Sequence, residues 1–190
     1  MPPKPDFRAI FEMAREQQRT YDWLAAANSY QRAVIVIPRT ASASEIWEKM
    51  GFCYHLASRQ TEDQEEFEKH TRSAVRAYKK AALLLKEDTK LESQAASLHL
   101  GALADYIASW VASNPSKKKE FLSKSCELAE SSLDAYKSVG NEFDYGRTSV
   151  DALMCFFERL HVASDSQEMK RVCEEAIGCA DEAVIIPFQI

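Results

Sequence analysis

The side chains able to carry chemistry are few and scattered. Four histidines (His55, His70, His99, His161) and five cysteines (Cys53, Cys126, Cys155, Cys173, Cys179) are the metal-ligating and nucleophilic types. No CxxC pair and no Cys/His spacing of a zinc site links them. Nor does any histidine have a carboxylate at metal-binding spacing. His55 reads as a packing or groove residue, and His161 as a cation near a helix end, where it complements the dipole. Glu174, Glu175, Asp181 and Glu182 form a carboxylate run that reads as a solvated helix face, because nothing points to a raised pKa. GxGxxG, P-loop, HExxH, GxSxG and EF-hand patterns are all missing. Catalysis needs convergent groups in a dry pocket, so an enzyme is the least expected class, and neither cofactor nor metal is expected.

Charge narrows the partners. Acidic residues outnumber basic ones, 29 to 24, for a net charge of −5, whereas nucleic-acid binders cluster positive charge to displace counterions from phosphates. The one basic run, Lys117-Lys118-Lys119, follows Asn114-Pro115 and reads as a solvated helix start. The most acidic stretch, Thr61-Glu62-Asp63-Gln64-Glu65-Glu66-Phe67-Glu68, also reads as an exposed helix start. Its functional alternative is a docking surface for a basic partner, with Phe67 as anchor.

These residues sit on helices. Glycine numbers only 5 and proline 6 among 190 residues, too few breakers for an all-β fold. Apolar residues recur at helical spacing and nowhere alternate cleanly. Asp6 suits an N-cap. Ser42-x-x-Glu45, Thr61-x-x-Gln64, Thr89-x-x-Glu92 and Ser164-x-x-Gln167 match the capping box. Asn114-Pro115 suits a cap followed by proline at the first helical position, and Gly140-Asn141 a C-terminal stop. About eight helices of 10–20 residues are predicted, joined by short turns that make neighbours antiparallel.

The helices repeat. Ala26-x3-Tyr30-x2-Ala33 recurs as Ala74-x3-Tyr78-x2-Ala81, more loosely as Ala129-x3-Leu133-x2-Tyr136, and again as Ala176-x3-Ala180-x2-Ala183. The first and last copies end alike, Ala33-Val34-Ile35-Val36-Ile37-Pro38 against Ala183-Val184-Ile185-Ile186-Pro187. Small alanines let a neighbouring helix approach, larger residues fill the groove beside it, and proline ends the unit. Ahead of the second copy stands Trp47-x2-Met50-Gly51-x2-Tyr54, and ahead of the first Ile10-x2-Met13-Ala14-x2-Gln17. On these residues the chain resembles the tetratricopeptide-repeat superfamily over nearly its whole length. Unit two departs from the pattern by an insertion, Arg59 to Lys69. Units three and four exceed the usual 34 residues. The segment Asp22 to Ala33 is also similar to the helix pairs of soluble NSF attachment (SNAP) proteins.

The resemblance implies an all-α fold: a single domain over 1–190, a right-handed α-solenoid of about four helical hairpins (6–38, 42–86, 89–140, 141–187). It implies non-catalytic protein–protein interaction, as an adaptor or scaffold gripping a peptide or helical partner in a concave groove. A SNAP-like membrane-fusion adaptor and a regulatory sensor domain of a longer protein are the alternatives. First helices line such a groove. Arg8, Phe11, Arg15, Gln18 and Arg19 share a face of the first, and Glu45, Glu48, Phe52, His55 and Leu56 sit at equivalent offsets in unit two. A plain solvated face is the competing reading, but the mixture of Arg, Phe and His is what interfaces use. The offsets at which some tetratricopeptide proteins hold a C-terminal carboxylate with Asn carry Arg15 and Phe52, so that clamp is not implied.

The cysteines read as free, buried thiols of a reducing compartment. No signal peptide opens the chain, and the longest aliphatic run, Ala33 to Ile37, is far below the ~18 residues of a membrane span. A cytoplasmic protein with no integral membrane segment is expected. The apolar ending Pro187-Phe188-Gln189-Ile190 is unlike a solenoid cap, so the tail is expected to dock back or to continue into something longer.

Overall fold

The computed structural model describes residues 6–39 and 41–184, the side chains of 182–184 excepted. Among the described residues the chain forms eight α-helices and one 3-10 turn, with no strand. None of the helices is long and apolar enough to cross a membrane. The chain divides into two compact units, Met1–Leu84 and Leu85–Ile190. The apolar tail and the proline of the fourth repeat copy lie outside the described residues, as do the side chains of Glu182 and Ala183.

The first unit holds α1 (Phe7–Arg19), α2 (Trp23–Ile35), α3 (Ala43–Gln60) and nearly all of α4 (Gln64–Lys86). Asp6 caps α1, its carboxylate accepting from the Arg8 amide at 3.1 Å, and Ser42 caps α3 by accepting from the Glu45 amide at 3.3 Å. At α4 the cap is Asp63, whose carboxylate accepts from the Glu66 amide at 2.8 Å; Thr61, the expected cap, instead accepts from the Asp63 amide. A carboxylate satisfies the orphan amides and also complements the helix dipole, which a hydroxyl does only weakly.

Small residues set the packing of this unit. Ala26, Ala33, Ala74 and Ala81 are fully buried, and Tyr30 and Tyr78 lie between them in sequence at 0% and 2% exposure. Ile10, Ala14, Ala27, Ile46, Met50, Cys53 and Ala77 complete the core. At Gly51 α3 and α4 come close: a Cβ there would meet the Tyr78 ring at 2.9 Å. Burial pushes the Cys53 thiol up to about 12, so it packs as a small hydrophobe. His70 lies buried under Tyr54, the rings stacked 6.2 Å apart. Its burial lowers the imidazole pKa below 6.5. The unfolded chain therefore takes up the proton first; stability is complete above that value and falls as pH drops through and below it. Melting at stepped pH between about 7 and 5 should show a steeper acid loss for the native chain than for His70→Phe. Parallel curves would mean that His70 contributes nothing to the slope.

The second unit holds α5 (Leu91–Ala108), a 3-10 turn (Ser109–Val111), α6 (Pro115–Val139), α7 (Glu142–His161) and α8 (Ser166–Val184). Asn114 caps α6 by accepting from the Lys117 amide at 2.9 Å, with Pro115 next. Gly140 stops the helix with φ of 70°, and Asn141 then caps α7. Before α5 the N-cap is Lys90 and no side chain caps the helix; Asp88 accepts from the Lys90 amide and the Ser93 hydroxyl. Before α8, Asp165 replaces Ser164 by accepting from the Glu168 amide at 2.8 Å.

Register within this unit is fixed by buried hydroxyls. Ser125 Oγ donates to the Ala102 carbonyl and Ser132 Oγ to the Ala95 carbonyl, both at 2.8 Å. One step forward along α6 is matched by an equal step back along α5, so the pair is antiparallel. Between α6 and α7, the Cys126 thiol donates to Cys155 Sγ at 3.3 Å, and Cys155 in turn donates to the Leu122 carbonyl. That bond, together with burial, holds the Cys126 thiol far above the usual thiol range. His99 Nε2 lies 2.8 Å from Asp151 Oδ2, tying α5 directly to α7.

Candidate functional site

The expected groove residues of α1 fall into two groups. Phe11 is half-buried, stacked on Phe7 at 5.6 Å and edge-on to Tyr30 at 5.7 Å. Gln18 is also half-buried, its Oε1 accepting from the Tyr30 hydroxyl at 2.9 Å. These two brace the α1–α2 hairpin. Arg8, Arg15 and Arg19 are exposed. Arg15 and Arg19 each pair with the glutamate one turn earlier, Glu12 at 3.2 Å and Glu16 at 3.1 Å. Exposed pairs of this kind hold side chains in place but add little stability.

Arg8 and Phe11 do come together. With Asp6, Phe7, Glu12, Pro38 and Ala41 they line an open hollow of about 470 Å³ at the start of α1. Its walls are aromatic and aliphatic and its rim carries both charges. On α3, Glu45 is exposed and reaches Lys49 at 3.6 Å, Glu48, His55 and Leu56 are half-buried, and Phe52 is 39% exposed. None of these α3 residues lines the hollow.

Phe52 instead belongs to a surface group that the sequence reading did not assemble. Its ring meets Trp23 edge-on at 5.7 Å, and Trp23 meets Tyr21 edge-on at 5.7 Å. Tyr21 is 70% exposed, with φ of 62°. It stands just past the end of α1: its amide donates to the Gln18 carbonyl, and the Asp22 amide to the Gln17 carbonyl. The same pair of bonds closes α6, where Gly140 and Asn141 donate to Lys137 and Tyr136. Glycine enters that left-handed conformation at little cost, but a tyrosine pays about 1 kcal/mol or more. The signal was present in the sequence: a helix stop at Thr20-Tyr21-Asp22 with no glycine in it.

Other charged candidates are committed inside the fold. Lys117 pairs with Glu120 at 2.9 Å, Lys118 with Glu158 at 3.0 Å and Lys119 with Glu168 at 2.6 Å. The Lys119 hydrogen bond, supported by the Ser164 amide, holds the Glu168 carboxyl down at about 2. Of the carboxylate run, Glu175 accepts from Arg159 at 2.8 Å and Glu174 lies 3.9 Å from Lys170. In the acidic stretch that opens α4, Glu68 pairs with Arg72 at 2.7 Å and Phe67 is half-buried. His161 Nδ1 bonds the Phe157 carbonyl at 2.7 Å. Among the described residues, no three His, Cys, Asp or Glu side chains converge as a metal site would need.

No family model matches the chain, and no curated protein matches it.

Proposed function

We propose that the chain is a non-catalytic protein-interaction scaffold built of tetratricopeptide-like hairpins. The helices pair in sequence as α1–α2 and α3–α4 in the first unit and as α5–α6 and α7–α8 in the second. Supporting this are the glycine of Trp47-x2-Met50-Gly51-x2-Tyr54 seated under Tyr78, and the buried Ala26, Ala33, Ala74, Ala81 and Ala129 of the first three repeat copies, whereas Ala176 and Ala180 of the fourth are only half-buried. The partner-binding surface lies on the first unit. One observation carries it: the exposed Tyr21 and Phe52 are linked edge to edge through the half-buried Trp23, and Tyr21 is held in a backbone conformation that costs stability. Tyrosine, tryptophan and arginine dominate interface hot spots, and strain of this kind gathers at functional positions. The exposed Arg15 and Arg19 supply charge complementarity.

Affinity capture with the tagged native chain tests this, beside Tyr21→Gly, Phe52→Ala and the double change Arg15→Glu, Arg19→Glu. A protein retained by the native chain and lost by the variants, with helicity unchanged, is the expected result. Tyr21→Gly should melt no lower than the native chain, since relief of strain of about 1 kcal/mol offsets the lost ring contact. Equal capture by all four chains would remove this surface from consideration.

A further inference from the structure

Two thiols of the second unit face each other across a helix pair. Cys126 lies on α6 and Cys155 on α7, with their sulfurs 3.3 Å apart. The hairpin itself sets that meeting. Cys126 stands fourteen residues before Gly140 and Cys155 fourteen after Asn141, and the short turn makes the two helices antiparallel, so the cysteines come level. One layer nearer the turn, Ala129 and Ala152 are buried at 2% and 1%, and small side chains there let the helices approach. In a disulfide the sulfurs stand about 2.05 Å apart, so closing this pair takes a travel of about 1.3 Å shared between two side chains.

We propose that Cys126 and Cys155 form a reversible oxidation site, which hydrogen peroxide closes to an intramolecular disulfide stapling α6 to α7. Cys155 is the attacking sulfur. The S–H bond from Cys126 lowers its pKa, burial opposes that, and the Arg159 guanidinium one turn further along α7 helps. The thiolate, not the thiol, is the nucleophile. Ionising Cys155 releases the proton it now shares with the Leu122 carbonyl at 3.4 Å. The thiolate takes one peroxide oxygen, the O–O bond breaks, and the departing hydroxide takes up that proton and leaves as water. Cys126 then attacks the sulfur of the Cys155 sulfenic acid. The S–O bond breaks, the S–S bond forms, and the oxygen leaves as a second water carrying the Cys126 proton. The two thiols have lost two electrons and the peroxide has gained them. A dithiol returns both thiols by exchange.

Burial selects the oxidant. Both sulfurs are 1% exposed, so a small peroxide reaches them during slight local opening, whereas a bulky disulfide such as oxidised glutathione needs far more room. A second thiol within reach also halts the chemistry at the disulfide, before the irreversible sulfinic acid. Cys53 of the first unit supplies the comparison. It is at 0% exposure, and burial pushes its thiol up to about 12, so it stays protonated and inert.

The test treats the full native chain with excess hydrogen peroxide, alkylates the remaining thiols in denaturant and maps the peptides by mass. Cys126 should be found joined to Cys155 and Cys53 alkylated, and dithiothreitol should restore both thiols. Cys126→Ser should leave Cys155 as a sulfenic acid that dimedone captures, and Cys155→Ser should leave Cys126 alkylated. In the joined chain, amide hydrogens of α6 and α7 should exchange at least about tenfold more slowly, because the staple restricts the opened state. Cys126 and Cys155 both still alkylated after peroxide, a sulfinic acid at Cys155 beside a free Cys126, or unchanged exchange in the joined chain would each overturn the proposal.

Discussion

Gly51→Val should destabilise the first unit by about 3 kcal/mol, at the upper end for overpacked cores. The cause is the approach of α3 to α4. A Cβ at position 51 would stand 2.9 Å from Tyr78 Cδ1 and 3.0 Å from Cγ. Those atoms are the base of the ring, not its free end, and Tyr78 is itself 2% exposed, so it has nowhere to turn. Glycine inside a helix costs about 1 kcal/mol against alanine. The fold accepts that cost because the contact is closer than any side chain allows. Gly101 is the internal control: a Cβ there would meet only Leu128 Cδ1 at 3.4 Å, the tip of a flexible side chain. Gly101→Ala should therefore be neutral or stabilising. Urea denaturation of both variants measures the difference, and coincident midpoints would mean that the α3–α4 approach is looser than described.

Tyr30→Ala should cost about 4 kcal/mol, the range for removing a large buried aromatic. Tyr30 is fully buried, and its hydroxyl holds Gln18 while its ring meets Phe11. Burial raises the phenol well above its usual range, so it stays a donor at any working pH. Tyr30→Phe divides the effect: it keeps the ring and loses one hydrogen bond, about 1 kcal/mol. Since Gln18 and Phe11 both lean on this residue, the alanine variant should also loosen the hollow at the start of α1. Calorimetric melting of the two variants, read against the native chain, provides the test. Equal loss for alanine and phenylalanine would show the hydroxyl, not the ring, to be the main contributor.

Helical content and helix order were legible because the repeat pattern and several caps act locally. Ser42, Asn114-Pro115 and Gly140 do what their types and places imply. Two expected capping hydroxyls, Thr61 and Ser164, gave way to neighbouring aspartates, Asp63 and Asp165, and the expected Thr89 cap of α5 does not form. A capping-box pattern matches residue types; the chain selects whichever acceptor carries charge near the helix dipole. Long-range pairs were illegible. His99 meets Asp151 and Cys126 meets Cys155 across helices, and neither spacing suggests contact until the hairpins are laid side by side.

The candidate surface was half legible. Helical spacing put Arg8, Phe11, Arg15, Gln18 and Arg19 on one face; the three arginines are exposed, but spacing could not show that Phe11 and Gln18 are engaged by Tyr30. Phe52 stood out by its type, while Tyr21 and Trp23 did not, because their grouping depends on how the α1–α2 turn meets α3.

The sulfur atoms make each unit its own stopwatch. Cys53 lies at 0% exposure in the first unit, and Cys126 and Cys155 at 1% each in the second. A thiol reagent can reach them only when the surrounding helices part. Their labelling rates therefore time the opening of each half separately in one native sample, with no dye or tag attached.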